Sequence, residues 1–175
     1  MLFRSLVGYS IKRTNQGVNE DHHSWSSNED QKNFYQHLDK SPLVIMGSRT
    51  YEGAKKNMVH KDGRMRIVLT SNPKKYEGEK IPGKLEFTNE NPKELIKRLE
   101  KSGIKKGILV GGATTNTKFF KQNLVTEVWQ TIEPILRGVG INTAVEKIDI
   151  SLKLISSEKL NARGTFLLKY SVVST

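Results

Sequence analysis

The sequence predicts an α/β fold: a mixed, mostly parallel sheet of roughly eight strands, flanked by about four helices and ending in an antiparallel hairpin. Three observations predict it. Short strand-like runs alternate with helix-like segments along nearly the whole chain, and that order implies crossover units between parallel strands. The runs Leu43-Val44-Ile45-Met46 and Ile108-Leu109-Val110 are apolar throughout, as strands covered on both faces must be. The last two runs alternate instead and are joined by the turn-like Asn161-Ala162-Arg163-Gly164, which reads as a hairpin at the sheet edge.

Taken in order, the first strand is expected over Leu2–Ser10. The polar stretch Lys12–Ser24 follows, and a loop of that length in a compact domain is usually functional. A helix is expected over Ser27–Leu38, with Ser26 or Ser27 as its N-cap and Glu29 and Asp30 favoured in its first turn by the helix dipole. Then come a strand at Leu43–Met46, a helix at Tyr51–Met58, and strands at Met65–Thr70 and Leu85–Thr88. Leu95, Ile96 and Leu99 share a face of a helix over Pro92–Lys101. A strand at Gly107–Val110, a helix at Thr114–Asn123 and strands at Thr126–Glu133, Ile150–Glu158 and Thr165–Val173 complete the set. Trp129, Phe119 and Phe120 are most simply core. No repeat or linker interrupts the pattern, so residues 1–175 are read as a single domain.

Composition narrows the function classes. The chain contains no cysteine, which excludes disulfide scaffolds and thiolate metal sites. No stretch approaches the ~20 apolar residues that span a bilayer, and the start of the chain does not read as a signal peptide, so a cytoplasmic protein without membrane partners is expected. His22-His23 has no spaced acidic partner motif and reads as polar loop, so no metal is expected. The formal charge is +11, yet the lysines are scattered and pair with nearby acids, without the aromatic-interleaved stripe that stacks bases. Nucleic acid is therefore disfavoured. A polyanionic cofactor such as NADPH would profit from the same field.

In open α/β sheets ligands bind beyond the carboxyl ends of the strands. Three such ends carry suggestive residues. Gly47-Ser48-Arg49-Thr50 follows the second strand, Thr70-Ser71 closes the third, and Gly111-Gly112-Ala113-Thr114 follows the fifth. Paired glycines let a backbone approach a ligand closely, and a helix start offers N–H groups to an anion. Either glycine turn taken alone is equally well read as an ordinary strand-to-helix connection, and the segment after the third strand as a solvated turn. Asp30 and Phe34 stand i and i+4 and share a helix face. If Phe34 points at the sheet, Asp30 lies near the apolar interior, and burial favours the proton-holding form of a carboxylate.

Together these residues resemble dihydrofolate reductase and its relative, the reductase domain of the riboflavin-biosynthesis deaminase-reductase. The pattern Trp25, Asp30, Phe34 is similar to the reductase element in which the acid and the phenylalanine contact a pterin. Leu43–Gly53 resembles the family's cofactor-binding VIMG element. Gly63–Ser71 resembles a segment whose arginine, here Arg64, binds a substrate carboxylate and whose closing hydroxyls touch an adenosine phosphate. Ile108–Ala113 matches the glycine pair that meets the cofactor, and Thr131 aligns with a threonine that hydrogen-bonds the acid. Leu124–Val128 with Glu133–Gly140 leans toward the riboflavin branch. The acidic segment that follows the second strand in that branch is replaced here by Gly53-Ala54-Lys55-Lys56.

The resemblance implies a dihydrofolate reductase-like fold and an NADPH-dependent oxidoreductase that passes a hydride to a C=N of a small heterocycle. Asp30 would handle the proton. Trp25, Phe34, Arg64 and Thr131 would bind substrate, and Gly17, Gly47, Arg49, Thr50, Thr70, Ser71, Gly111, Gly112, Ala113 and Thr114 would bind cofactor. Lys12–Ser24 would close over the nicotinamide. The implied substrate is a pterin, as in dihydrofolate reductase, or alternatively the phosphorylated ribosylamino-pyrimidine of riboflavin biosynthesis. A non-catalytic nucleotide-binding module and self-association as a homodimer stay open at this level.

Overall fold

The computed structural model describes residues 2–10, 26–135 and 144–173, with only the backbone considered in residues 2–10. In chain order the strands are β1 (Leu2–Ser10), β2 (Leu43–Gly47), β3 (Met65–Leu69), β4 (Leu85–Thr88), β5 (Lys106–Leu109), β6 (Glu127–Glu133), β7 (Ser151–Lys159) and β8 (Phe166–Val173). They form one sheet in the order β4-β3-β2-β5-β1-β6-β8-β7. Every pairing from β4 across to β6 is parallel, while β8 runs antiparallel to both β6 and β7. This is the mixed sheet with a terminal hairpin that the alternation of segments predicts.

Side chains on successive strand residues point to opposite faces, so each fully apolar strand feeds two cores. Leu43 and Ile45 of β2 join one core with Ile67, Leu109 and Val128, closed by α3 (Pro92–Lys101) through Leu95, Ile96 and Leu99 and by α4 (Ala113–Phe120) through Phe119 and Phe120. Val44 and Met46 face the other side. There α2 (Ser48–Ala54) contributes Tyr51, while Phe34 and Leu38 of α1 (Asn28–Asp39) pack on Ile108, Trp129 and Leu167. Trp129, Phe119 and Phe120 are buried, as their apolar setting implies.

Helix ends follow local chemistry. The Asn91 side chain accepts from the Lys93 N–H at 3.0 Å and Pro92 opens α3, while Gly103 at φ 83° takes the left-handed turn that ends it. Two helices depart from the expected bounds. α2 begins at Ser48, not Tyr51, because extended Gly47 serves as its N-cap, and it tightens into a 3-10 turn at Lys55–Asn57 just after the poor helix former Gly53. α4 begins at Ala113 and stops at Phe120, since Asn123 at φ 54° turns the chain out of the helix. An unexpected 3-10 segment, Pro73–Glu79, buries Tyr76, whose ring stacks on Phe87 at 4.6 Å. All nine residues of edge strand β7 are exposed, and a bulge lies between Leu154 and Ser156. Among the described residues no helix is long and apolar enough to cross a membrane.

Candidate active site

The carboxyl ends of β2 and β5 lie side by side and are stitched together by backbone bonds. Val110 N–H donates to the Ile45 carbonyl at 2.9 Å and Gly47 N–H to the Gly111 carbonyl at 2.7 Å. A Cβ on Gly47 would stand 2.5 Å from Thr115 Oγ1, so only glycine lets the start of α4 pack this close to β2. A Cβ on Gly112 would lie 3.4 Å from Thr50 Oγ1, which places the first turn of α2 against the N-cap of α4. Gly111 takes φ 91° and the Gly111–Gly112 peptide is cis. Gly112 caps α4 without a side-chain hydrogen bond and is exposed, as is Thr114, so the start of α4 is accessible at this edge, and a helix start offers unpaired N–H groups to an anion.

On the other flank, Leu69 pairs with Gly47 across β3 and β2, which brings Thr70 and exposed Ser71 to the same edge. Thr70 Oγ1 accepts the Asn72 N–H at 3.2 Å. Arg49 is exposed on α2. Gly47, Arg49, Thr50, Thr70, Ser71, Gly111, Gly112, Ala113 and Thr114 thus share one end of the sheet, although they come from three separate segments of sequence. Gly17, Trp25 and the Lys12–Ser24 loop lie outside the described residues.

Asp30 sits in the first turn of α1, buried to 9% exposure. Phe34, one turn on, packs toward Ile108, Trp129 and Leu167, so the two do share the sheet-facing side. Ser27 is the N-cap and accepts the Asp30 N–H at 3.2 Å. The carboxylate itself receives the Ser26 hydroxyl at 2.7 Å. The resemblance assigns a hydrogen bond on the acid to Thr131, which is buried on β6; among the described residues the bond given to the Asp30 carboxylate comes from Ser26.

Arg64 stands at the other end of the sheet, just before β3, whose carboxyl end is the one facing Gly47. It is 5% exposed and its Nη2 lies 2.5 Å from Asp39 Oδ1 at the last turn of α1. Hydrogen bonds from Lys61 first and Arg64 second hold the Asp39 carboxyl below the usual range. Among the described residues Arg64 Nε is buried and has no hydrogen-bond partner, and Arg64 lines a cavity of about 220 Å³ together with Asp39, Ser41, Lys61 and Gly63. Burial, reinforced by the Arg64 charge, lowers the pKa of neighbouring Arg66. Burial likewise lowers that of His60, which faces Arg66 at 3.5 Å. With about 1.5 Å of rise per residue, the nine steps from Asp30 to Asp39 separate the two ends of α1 by about 13 Å. Arg64, paired with Asp39, and Asp30 therefore do not form one compact site.

The family model of the RibD C-terminal domain matches residues 5–165. The chain belongs to the RibD C-terminal domain family. It is also similar to YwjB of Bacillus subtilis (strain 168), an uncharacterised protein, with 28% identity over 134 residues that cover 75% of this chain and 69% of that protein. A Shewanella sp. PV-4 protein assigned to riboflavin biosynthesis superposes with a TM-score of 0.76 at 20% identity, covering 99% of this chain and all of the other. A pyrimidine reductase-like protein from Corynebacterium diphtheriae gives 0.71 at 13% identity over 99% and 92% of the two chains. RibD of Acinetobacter baumannii gives 0.74 at 18% identity, with this chain spanning 58% of its length. The RibD C-terminal reductase domain therefore accounts for the fold, and the dihydrofolate reductase-like expectation agrees with it.

Within this RibD-like frame, one group absent from the sequence-based candidates ties the start of α1 to the sheet and the hairpin turn. Glu133, the last residue of β6, is 3% exposed. Its Oε1 accepts the Ser27 N–H at 2.8 Å and its Oε2 accepts the Thr165 hydroxyl at 2.6 Å. Thr165 is fully buried in the turn between β7 and β8. The one available signal was an acid ending an otherwise core-facing strand, which alone does not announce a partner 106 residues away.

Proposed function

We propose that this chain is an NADPH-dependent reductase of a pyrimidine of the riboflavin-pathway type, delivering a hydride to a C=N bond. The observation that carries the proposal is the convergence of Gly47, Thr50, Gly111 and Gly112 at the carboxyl ends of adjacent strands β2 and β5, the ends where an open α/β sheet binds its ligand. The residues fit a dinucleotide: a bare glycine backbone meets an outward-facing helix start beside the Thr50 hydroxyl, and the Thr70 and Ser71 hydroxyls lie on the adjoining strand end. Thr50 and Gly112–Thr114 would hold the diphosphate, with Thr70 and Ser71 toward the adenosine end. Bound there, the nicotinamide supplies the hydride.

The chain's own residues do the rest. Phe34 offers an apolar edge to the pyrimidine ring, Asp30 orients that ring and passes a proton, directly or through water, to the exocyclic nitrogen of the ring-opened ribosylamino C=N whose carbon takes the hydride, and Ser26 fixes the carboxylate. Family membership supports the pyrimidine over the pterin, and so does the ion pair of Arg64 with Asp39. A pterin carrying a glutamyl tail would need Arg64, which already has a carboxylate of its own chain. The test is NADPH oxidation with dihydrofolate and with the phosphorylated ribosylamino-pyrimidine side by side. A preference of about tenfold or more for the pyrimidine is expected, and turnover of dihydrofolate alone would refute the substrate assignment.

A further inference from the structure

Glu133 joins three parts of the chain that meet nowhere in sequence. Both carboxylate oxygens are engaged: the Ser27 N–H, at the N-cap of α1, donates to one, and the hydroxyl of Thr165 in the hairpin turn donates to the other. The turn grips the same helix start a second time, since Asn161 Nδ2 donates to Glu29 at 3.2 Å and to Thr165 Oγ1 at 2.8 Å, while Asn161 Oδ1 receives the Thr165 N–H at 3.1 Å. From Ser27 the connection reaches the acid in one step, because the Ser27 hydroxyl oxygen accepts the Asp30 N–H, and adjacent Ser26 donates to the Asp30 carboxylate.

Trp129, Thr131 and Glu133 alternate onto one face of β6, the face that α1 covers. Glu133 is the charged member of that row and sits at the strand end nearest the helix start. A carboxylate 3% exposed is costly to bury, and it persists where hydrogen bonds satisfy it. Those bonds are spent on docking the first turn of α1.

We infer that Glu133 is the positioning residue of the proposed reductase site: it pins the N-cap of α1 to the end of β6 and to the β7–β8 turn, and so sets where the Asp30 carboxylate points. The inference rests on the assignment of Asp30 as the acid. It makes the hairpin turn, remote from the glycine cluster in sequence, part of the catalytic geometry.

The test pairs an activity-independent reading with a kinetic one. In Glu133→Ala, hydrogen exchange at the Ser27 amide should quicken about tenfold, since its acceptor is gone. The kcat for pyrimidine reduction should fall about tenfold or more from misplacement of the acid, while KM for NADPH moves less than about twofold. Glu133→Gln keeps one carbonyl acceptor for Ser27 and should restore kcat to within about threefold. In an Asp30→Asn background, Glu133→Ala should cost little more. Should Glu133→Ala fail to fold, Thr165→Val removes the second donor at nearly constant volume and should move both readings in the same direction.

A loss of rate in Asp30→Asn with none in a folded Glu133→Ala overturns the positioning role and leaves the reductase assignment standing. So does a loss in Glu133→Ala that is undiminished in the Asp30→Asn background. Unchanged turnover in Asp30→Asn overturns the assignment of the acid itself, with Ser27 exchange still reporting the clamp.

Discussion

Asp30 carries two kinds of information, one local and one tertiary. A carboxylate in the first turn of a helix needs no function, because the dipole and the Ser27 cap account for it. Its burial, the Phe34 ring one turn away and the Ser26 hydroxyl on its oxygen are what support the proposal that it handles the proton. Asp30→Asn is expected to lower kcat by a factor of about 100 at neutral pH, measured by NADPH oxidation. Gly47 is constrained sterically: a methyl group there meets Thr115 at 2.5 Å, and Thr115 is itself buried. Gly47→Ala should cost about 1–3 kcal/mol in urea unfolding and weaken NADPH binding in parallel. Gly47 and Asp30 were both legible as candidates in the sequence. Glu133 was not, because its significance lies entirely in partners 106 and 32 residues distant.

At the level of elements, α3 is the helix whose sequence says most about it. Asn91-Pro92 begins it, Leu95, Ile96 and Leu99 face the core, and Gly103 ends it, and the structure places each as that chemistry requires. Asn91→Ala should cost about 1 kcal/mol, read as a lower denaturation midpoint. Arg98 ties α3 to β4: its Nε donates to Glu90 at 3.0 Å and its Nη2 pairs with both Glu86 and Glu90. Hydrogen bonding from Arg98 holds Glu90 below the ordinary carboxylate range. α2 was less legible, since its onset is set by the extended Gly47 beneath α4 and not by a capping side chain. The 3-10 segment Pro73–Glu79 was invisible for a related reason: Tyr76 anchors it through stacking on Phe87, a contact no local pattern announces.

Across the molecule, charge governs both stability and encounter. Hydrogen bonds from Lys61 on Asp39, Lys55 on Glu52, Lys84 on Asp62 and Arg98 on Glu90 lower the carboxyl pKa values. A carboxylate depressed in the folded state stabilises above its unfolded pKa, and that contribution disappears as pH falls through the folded value. The urea midpoint should therefore hold steady down to about pH 5 and decline below about pH 4. The excess of positive charge, +11, should draw a polyanionic cofactor. The on-rate for NADPH is accordingly expected to fall with rising salt while the denaturation midpoint moves little, as stopped-flow and unfolding at matched ionic strengths would report.

By itself the sequence determined the alternation of strands and helices, the two-sided burial of β2 and β5, the hairpin and the residue types at each strand end, because periodicity and turn chemistry act over a few neighbouring positions. Only the tertiary structure decided that β5 inserts between β2 and β1, which brings Gly111 and Gly112 against Gly47 and Thr50. It also decided that Arg64 turns to Asp39, a full helix length from Asp30, and that Glu133 fastens the helix carrying the acid. Strand order and the partners of buried charges are long-range properties: they follow from which faces must be covered and which hydrogen bonds must be satisfied once the whole chain is packed.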